Sequence, residues 1–157
     1  MDRSEKIALG LSGGLLAIFF AAILYASAVL DIQVPTCITD VEPFTSDSII
    51  EIADNEYELH MIARMWSFQP SEITLPAGST VHIYVTSQDI IHGFKVDEKN
   101  VNLMATPDAV NYMKVTFQKP GVYSFACHEF CGVAHHTMAG RFRILEPGDN
   151  ELSGGEI

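Results

Sequence analysis

Basic side chains are scarce in this chain of 157 residues: Lys plus Arg number 9 against 20 Asp plus Glu, a formal net charge of -11. Such a surface repels phosphate backbones and makes nucleic acid a poor partner. It fits a solubilising coat, salt adaptation or the steering of a basic protein. Cysteine is scarce too, at 3 residues, too few for the disulfide framework of a small secreted domain. Tryptophan occurs once, at Trp66, and no internal repeat is visible. Charge is missing altogether from Ile7 to Leu30. The length suits one globular domain with a real core, plus an appendage.

That uncharged run, "IALGLSGGLLAIFFAAILYASAVL", is the appendage. As a helix it would extend about 36 Å, enough to cross a hydrocarbon core with some tilt. A cleaved signal peptide is the competing reading, given the small residues Ala26, Ser27 and Ala28. The run is longer than a signal core, however, and the preceding "MDRSEK" has no net positive charge, so a retained anchor over residues 1–31 is expected. Arg3 and Lys6 before the span and Asp31 after it favour a cytoplasmic amino terminus. The expectation is a single-pass protein of the plasma membrane with its remaining chain on the outer, periplasmic side. Residues 32–56 read as a linker, 57–146 as the outer domain and 147–157 as a mobile acidic tail.

The outer domain has the period of strands. In "ITLPAGSTVHIYVT", Ile73 and Leu75, then Val81, Ile83 and Val85, fall on one face with a turn at Pro76–Gly78 between them. In "YMKVTFQKPGVYSFAC", Met113, Val115 and Phe117 share a side before the Pro120-Gly121 turn opens a strand ending at Cys127. "GRFRIL" puts Phe142 and Ile144 inward and Arg141 and Arg143 outward. Short strands punctuated by turns predict a mainly β fold, a β-sandwich behind one helix.

The connection "CHEFCGVAHHTM", residues 127 to 138, concentrates soft ligands. Cys127, Cys131, His135 and Met138 supply two thiolates, an imidazole and a thioether, donors that suit copper or zinc. His92, in "SQDIIHGFKV", is the best second imidazole, whereas His60 and His82 alternate with apolar neighbours and read as structural. His128 and His136 adjoin favoured ligands but diverge from them on a tight loop, and Cys37 has no partner. A Cys127–Cys131 disulfide explains neither the histidines nor the methionine. Structural zinc takes two cysteines and two histidines and leaves Met138 idle. One blue copper leaves a cysteine over. Two coppers bridged by both thiolates use every donor.

The pattern Cys127, Glu129, Cys131, Gly132, His135, Met138 resembles the binuclear copper A signature of cytochrome c oxidase subunit II. The resemblance extends through "DIIHGF", "MWSFQPSEITLPAGSTV" and "KPGVYSFAC", nearly the whole chain as far as Leu145. A single expected anchor makes it similar to the short B-type branch of haem-copper oxidases.

What the resemblance implies is a cupredoxin-like Greek-key β-sandwich holding two copper ions. Cys127 and Cys131 would bridge them, His92 and His135 would cap the ends, and Met138 and the Glu129 backbone carbonyl would be weak donors. In some relatives the Glu129 side chain also faces magnesium. Trp66 and Phe68 would form the surface where electrons arrive, although Arg64 and Met65 stand where aromatics are common in the long subunits. The donor would be cytochrome c or a small copper protein. The acceptor would be haem in subunit I, which reduces dioxygen and packs against the anchor. A nitric oxide reductase with a copper A subunit shares this pattern, and a structural zinc domain is the reading of another class.

Overall fold

The computed structural model describes residues 2–30, 32 and 34–146. The expected acidic tail, 147–157, lies outside them. The chain divides into two compact units, one through Gln33 and one from Val34 onward.

The first unit is helix α1, Arg3–Ala28. Its start is fixed by a reciprocal cap: Glu5 N–H donates to the Asp2 carboxylate and Asp2 N–H to the Glu5 carboxylate, each at 2.8 Å. Beyond Lys6 the helix carries no charged residue, and none of its residues is buried. It is long and apolar enough to cross a membrane.

The second unit is a sandwich of two sheets. Its strands are β1 (Thr36–Ile38), β2 (Ser48–Ala53), β3 (Glu56–Arg64), β4 (Ser67–Gln69), β5 (Glu72–Pro76) and β6 (Ser79–Ser87). They continue with β7 (His92–Val96), β8 (Val101–Ala105), β9 (Val110–Phe117), β10 (Gly121–Ala126) and β11 (Ala139–Leu145). One sheet runs β1-β9-β6-β3-β2, with β4 added on β3; the other runs β5-β11-β10-β7-β8. The pairings β3–β6 and β5–β11 are parallel and the rest antiparallel.

The alternation read from the sequence is the alternation of burial. Ile73, Leu75, Val81, Ile83, Val85, Phe117, Phe142 and Ile144 all lie in the core. Between the sheets Phe68, Phe94, Phe125 and Phe142 interlock, with ring centroids 5.1 to 5.6 Å apart. Each such pair contributes about 0.5–1.5 kcal/mol beyond area burial.

Residues 32–56 are not a plain linker. They supply β1, which pairs with β9, and β2, which pairs with β3. Neither carries a readable pattern. The first is too short to show one, and the second is an edge strand whose Ile49, Ile50 and Ile52 are all exposed.

Candidate metal centre

The ligand loop leaves β10 at Cys127 and returns as β11 at Ala139. Since Ala126 pairs with Ala139, its two ends are held side by side. Cys127 N–H donates to Met138 O at 3.0 Å and closes the neck. Within the loop Gly132 takes φ 114°, a left-handed conformation that disfavours side chains. Its carbonyl then accepts from His135 N–H at 3.1 Å, opening a 3-10 turn over His135–Thr137. The spacing of the donors is thereby folded inward upon itself.

Distances within the loop bring the expected donors together. Cys127 and Cys131 Sγ lie 3.8 Å apart. Cys131 Sγ is 3.5 Å from His135 Nδ1 and 3.8 Å from Met138 Sδ. Cys127 Sγ is 3.1 Å from the Glu129 carbonyl oxygen. Both cysteines and Met138 are buried. The sulfur separation far exceeds the roughly 2.05 Å of a disulfide, and both thiols are free.

His92 joins them from the other side. It opens β7, which runs antiparallel to β10, so its ring arrives beside the neck of the loop. Donor atoms of His92, Cys127 and Cys131 all lie within 4.8 Å of one another. The imidazole is fully buried; Nε2 sits 2.7 Å from Asp89 Oδ1, while Nδ1 has no partner. A buried polar nitrogen left bare is costly unless something occupies its lone pair.

Electrostatics reinforce that point. Burial, then hydrogen bonding and repulsion from Cys127, push the Cys131 thiol up to about 11. Two thiolates this close in an apolar setting need a cation between them to coexist. Orphaned imidazole, paired buried sulfurs, a thioether and an inward carbonyl fit a soft metal bound by more donors than a closed four-ligand zinc site takes.

Other expected positions separate. The indole Nε1–H of Trp66 donates to the Cys131 carbonyl at 3.0 Å, and the side chain remains 39% exposed. Phe68 does not reach the surface; it is 1% exposed and packs edge-on against Phe94 and Phe125. It follows Trp66 by two along the chain, but β4 lies over the core and its middle residue points in. His128 lies flat over Gly93, where an added Cβ would come within 2.6 Å of its ring. Its Nδ1 stands 3.5 Å from the Glu129 carboxylate, which is itself half exposed. His136 is exposed. His60 and His82 bond Glu58 and Glu56 at 2.9 and 2.8 Å on the outer sheet face, a structural use.

Sequence reasoning missed Asp89. Its signal was available as an acid three residues before the candidate histidine, the spacing that lets a turn place a carboxylate on an imidazole.

Comparison with known proteins agrees with this geometry. The family described as cytochrome C oxidase subunit II, periplasmic domain, matches residues 39–143. Cytochrome c oxidase subunit 2 of Thermus thermophilus is 30% identical over 154 residues, covering 90% of this chain and 92% of that one. A chain in the cryo-EM structure of a heme-copper terminal oxidase dimer is 48% identical with TM-score 0.78, covering 91% of this chain and 100% of that one. The periplasmic domain of subunit II of cytochrome oxidase from Bradyrhizobium japonicum, 22% identical with TM-score 0.53 over 57% of this chain and 83% of that one, shares the fold. A cupredoxin-like sandwich behind an apolar helix, with its soft donors gathered at one loop, places this chain in the cytochrome c oxidase subunit II family of the haem-copper oxidases.

Proposed function

We propose that this chain is the electron-accepting subunit of its oxidase and holds a binuclear copper A centre. Cys127 and Cys131 would bridge the two ions, His92 and His135 would bind one each, and Met138 and the Glu129 carbonyl would be the weak donors. Such a centre, when bound, supplies a one-electron store whose charge is shared over two metals. The observation that carries the reading is the pair of buried sulfurs 3.8 Å apart beside an imidazole nitrogen with no partner.

The chain's own residues do the rest. The closed neck and 3-10 turn hold the donors rigid, so little rearranges as charge comes and goes. Trp66 ties the outside to Cys131 through one hydrogen bond. Met65 beside it in the chain, and Ile90, Ile91, Phe130 and Val133 close in sequence to the proposed ligands, expose apolar side chains, which supports docking of a soluble carrier there, cytochrome c or a small copper protein. Helix α1 would anchor the chain in the cell membrane beside subunit I, whose haem takes the electron. Arg3 and Lys6 favour a cytoplasmic amino terminus and an outer metal domain.

The test is metal content and spin. Full-length chain in detergent, loaded with copper, is expected to bind two ions and give a paramagnetic spectrum in which one electron couples equally to two copper nuclei. One copper per chain, or preference for zinc with no such spectrum, defeats the proposal.

A further inference from the structure

Strand β2 ends its sheet: it pairs with β3 on one side, and among the described residues no strand pairs with its other edge. That edge turns backbone N–H and C=O groups toward whatever lies beside it. The side chains are as open as the edge. Ile49, opposite the core residue Leu59, is 43% exposed; Ile50, opposite Glu58, is 53% exposed, and Ile52, at the bulge between Glu51 and Ala53, is 52% exposed. Ile49 and Ile50 are neighbours in the chain and point to opposite sides, so both faces of the strand carry apolar surface. Open edges are usually guarded by Lys, by Pro or by several charges. From Ser48 to Ala53 there is one charge, Glu51, and no Pro. Three β-branched apolar residues at such an edge are a template for another strand.

Charge selects what can cover it. No Lys or Arg occurs from residue 7 to residue 63, while Asp47 and Asp54 flank β2, Glu51 lies in it, and Glu56 and Glu58 stand opposite it on β3. A second copy of this chain would set those acids against themselves, and like charges facing across strands are destabilising. The chain's own residues 147–157 fit no better, since they carry Asp149, Glu151 and Glu156 and no Lys or Arg. What fits is an extended segment, partly apolar and basic. Its main chain would join the sheet, its apolar side chains would cover the isoleucines, and its Lys or Arg would meet Glu51 and Glu58.

We propose that β2 is an assembly edge of the oxidase: a basic, extended segment of another subunit adds to it as a further strand and covers Ile49, Ile50 and Ile52. The occupant is a resident subunit rather than a passing carrier, because an apolar edge left open is an aggregation site. The proposal rests on membership of an oxidase and not on the copper reading.

The test compares hydrogen exchange over residues 48–53 in the purified oxidase and in the full-length chain alone, both in detergent. Amides of β2 that point away from β3 should exchange freely in the chain alone and lose that exchange in the oxidase. A photoreactive phenylalanine analogue in place of Ile50 should cross-link, in the oxidase, to a segment of another subunit that carries Lys or Arg beside apolar residues. Ile50→Lys alters only an exposed position, yet it sets a cation against the basic segment, so exchange at β2 should return. Equal exchange in the oxidase and in the isolated chain overturns the proposal without any variant. So does a cross-link to a second copy of this chain, to its residues 147–157, or to a segment without Lys or Arg. A chain that binds no copper pair but shows β2 protected in the oxidase would defeat the copper reading and leave this one standing.

Discussion

At the scale of single residues, the donors are expected to fail in different ways. Cys131→Ser removes a proposed bridging thiolate and should abolish the shared-electron spectrum, leaving at most a single-copper signal. Met138→Leu keeps the volume of a buried side chain but deletes its sulfur, so copper should stay bound while the reduction potential shifts. His128→Ala should leave the centre intact, because that ring lies over Gly93 rather than among the sulfurs. Retention of the paired spectrum in Cys131→Ser would reject the bridging assignment. In the metal-free chain the raised Cys131 thiol works against folding at high pH: the folded state holds its proton longer than the unfolded state does. Stability is whole below the ordinary value near 9 and should fall as pH rises toward about 11. Denaturant melts at several pH values read this, and bound metal should remove the dependence. Most of these donors were legible as residue types crowded into one loop. Asp89 was not, because an acid near a histidine is common in any sequence and only the fold shows its carboxylate shared among four partners.

At the scale of elements, β4 separates two aromatics that look equivalent in "MWSF". Phe68→Ala should cost about 3–5 kcal/mol in a urea melt, since it empties a core position ringed by Phe94 and Phe125. Trp66→Phe should cost no more than the roughly 0.5–1.5 kcal/mol of one hydrogen bond, yet it should slow electron acceptance from the donor. Equal stability losses in the two variants would show that Trp66 is a packing residue. The sequence could be read for β5, β6, β9 and β11 because each has one face in the core and one in water, and burial writes its period into the residue types. It could not be read for β1 and β2. An edge strand open to solvent leaves its side chains unselected by the core, so no alternation marks it. The inward turn of Phe68 was hidden for a related reason: three residues of strand are too few to establish a phase.

At the scale of the whole second unit, acidic side chains gather along a flank that also exposes Ile49, Ile50 and Ile52, away from the candidate ligand loop. Between Lys6 and Arg64 there is no Lys or Arg, while Asp40, Glu42, Asp47, Glu51, Asp54, Glu56 and Glu58 all fall there. They lie before and along β2 and at the start of β3, whereas the metal loop meets the far end of β3, where Met65 bonds Asp89. From Glu58 to Met65 is on the order of 20 Å of extended chain. The Debye length is about 30 Å at 0.01 M salt and about 10 Å at 0.1 M. A basic cytochrome c should therefore feel this acidic flank while approaching the apolar rim at low salt, and scarcely at all near 0.15 M. Its second-order rate of electron delivery to the intact oxidase should fall at least about tenfold over that range. Phe130→Ser, which removes an apolar side chain 82% exposed on the ligand loop, should slow delivery by a similar factor at every salt concentration. Stopped-flow rates with wild type and variant at 0.01, 0.05 and 0.15 M salt separate the two contributions. A wild-type rate indifferent to salt would make the acidic flank a solubility feature alone, and an unaffected Phe130→Ser would move the docking face away from the loop.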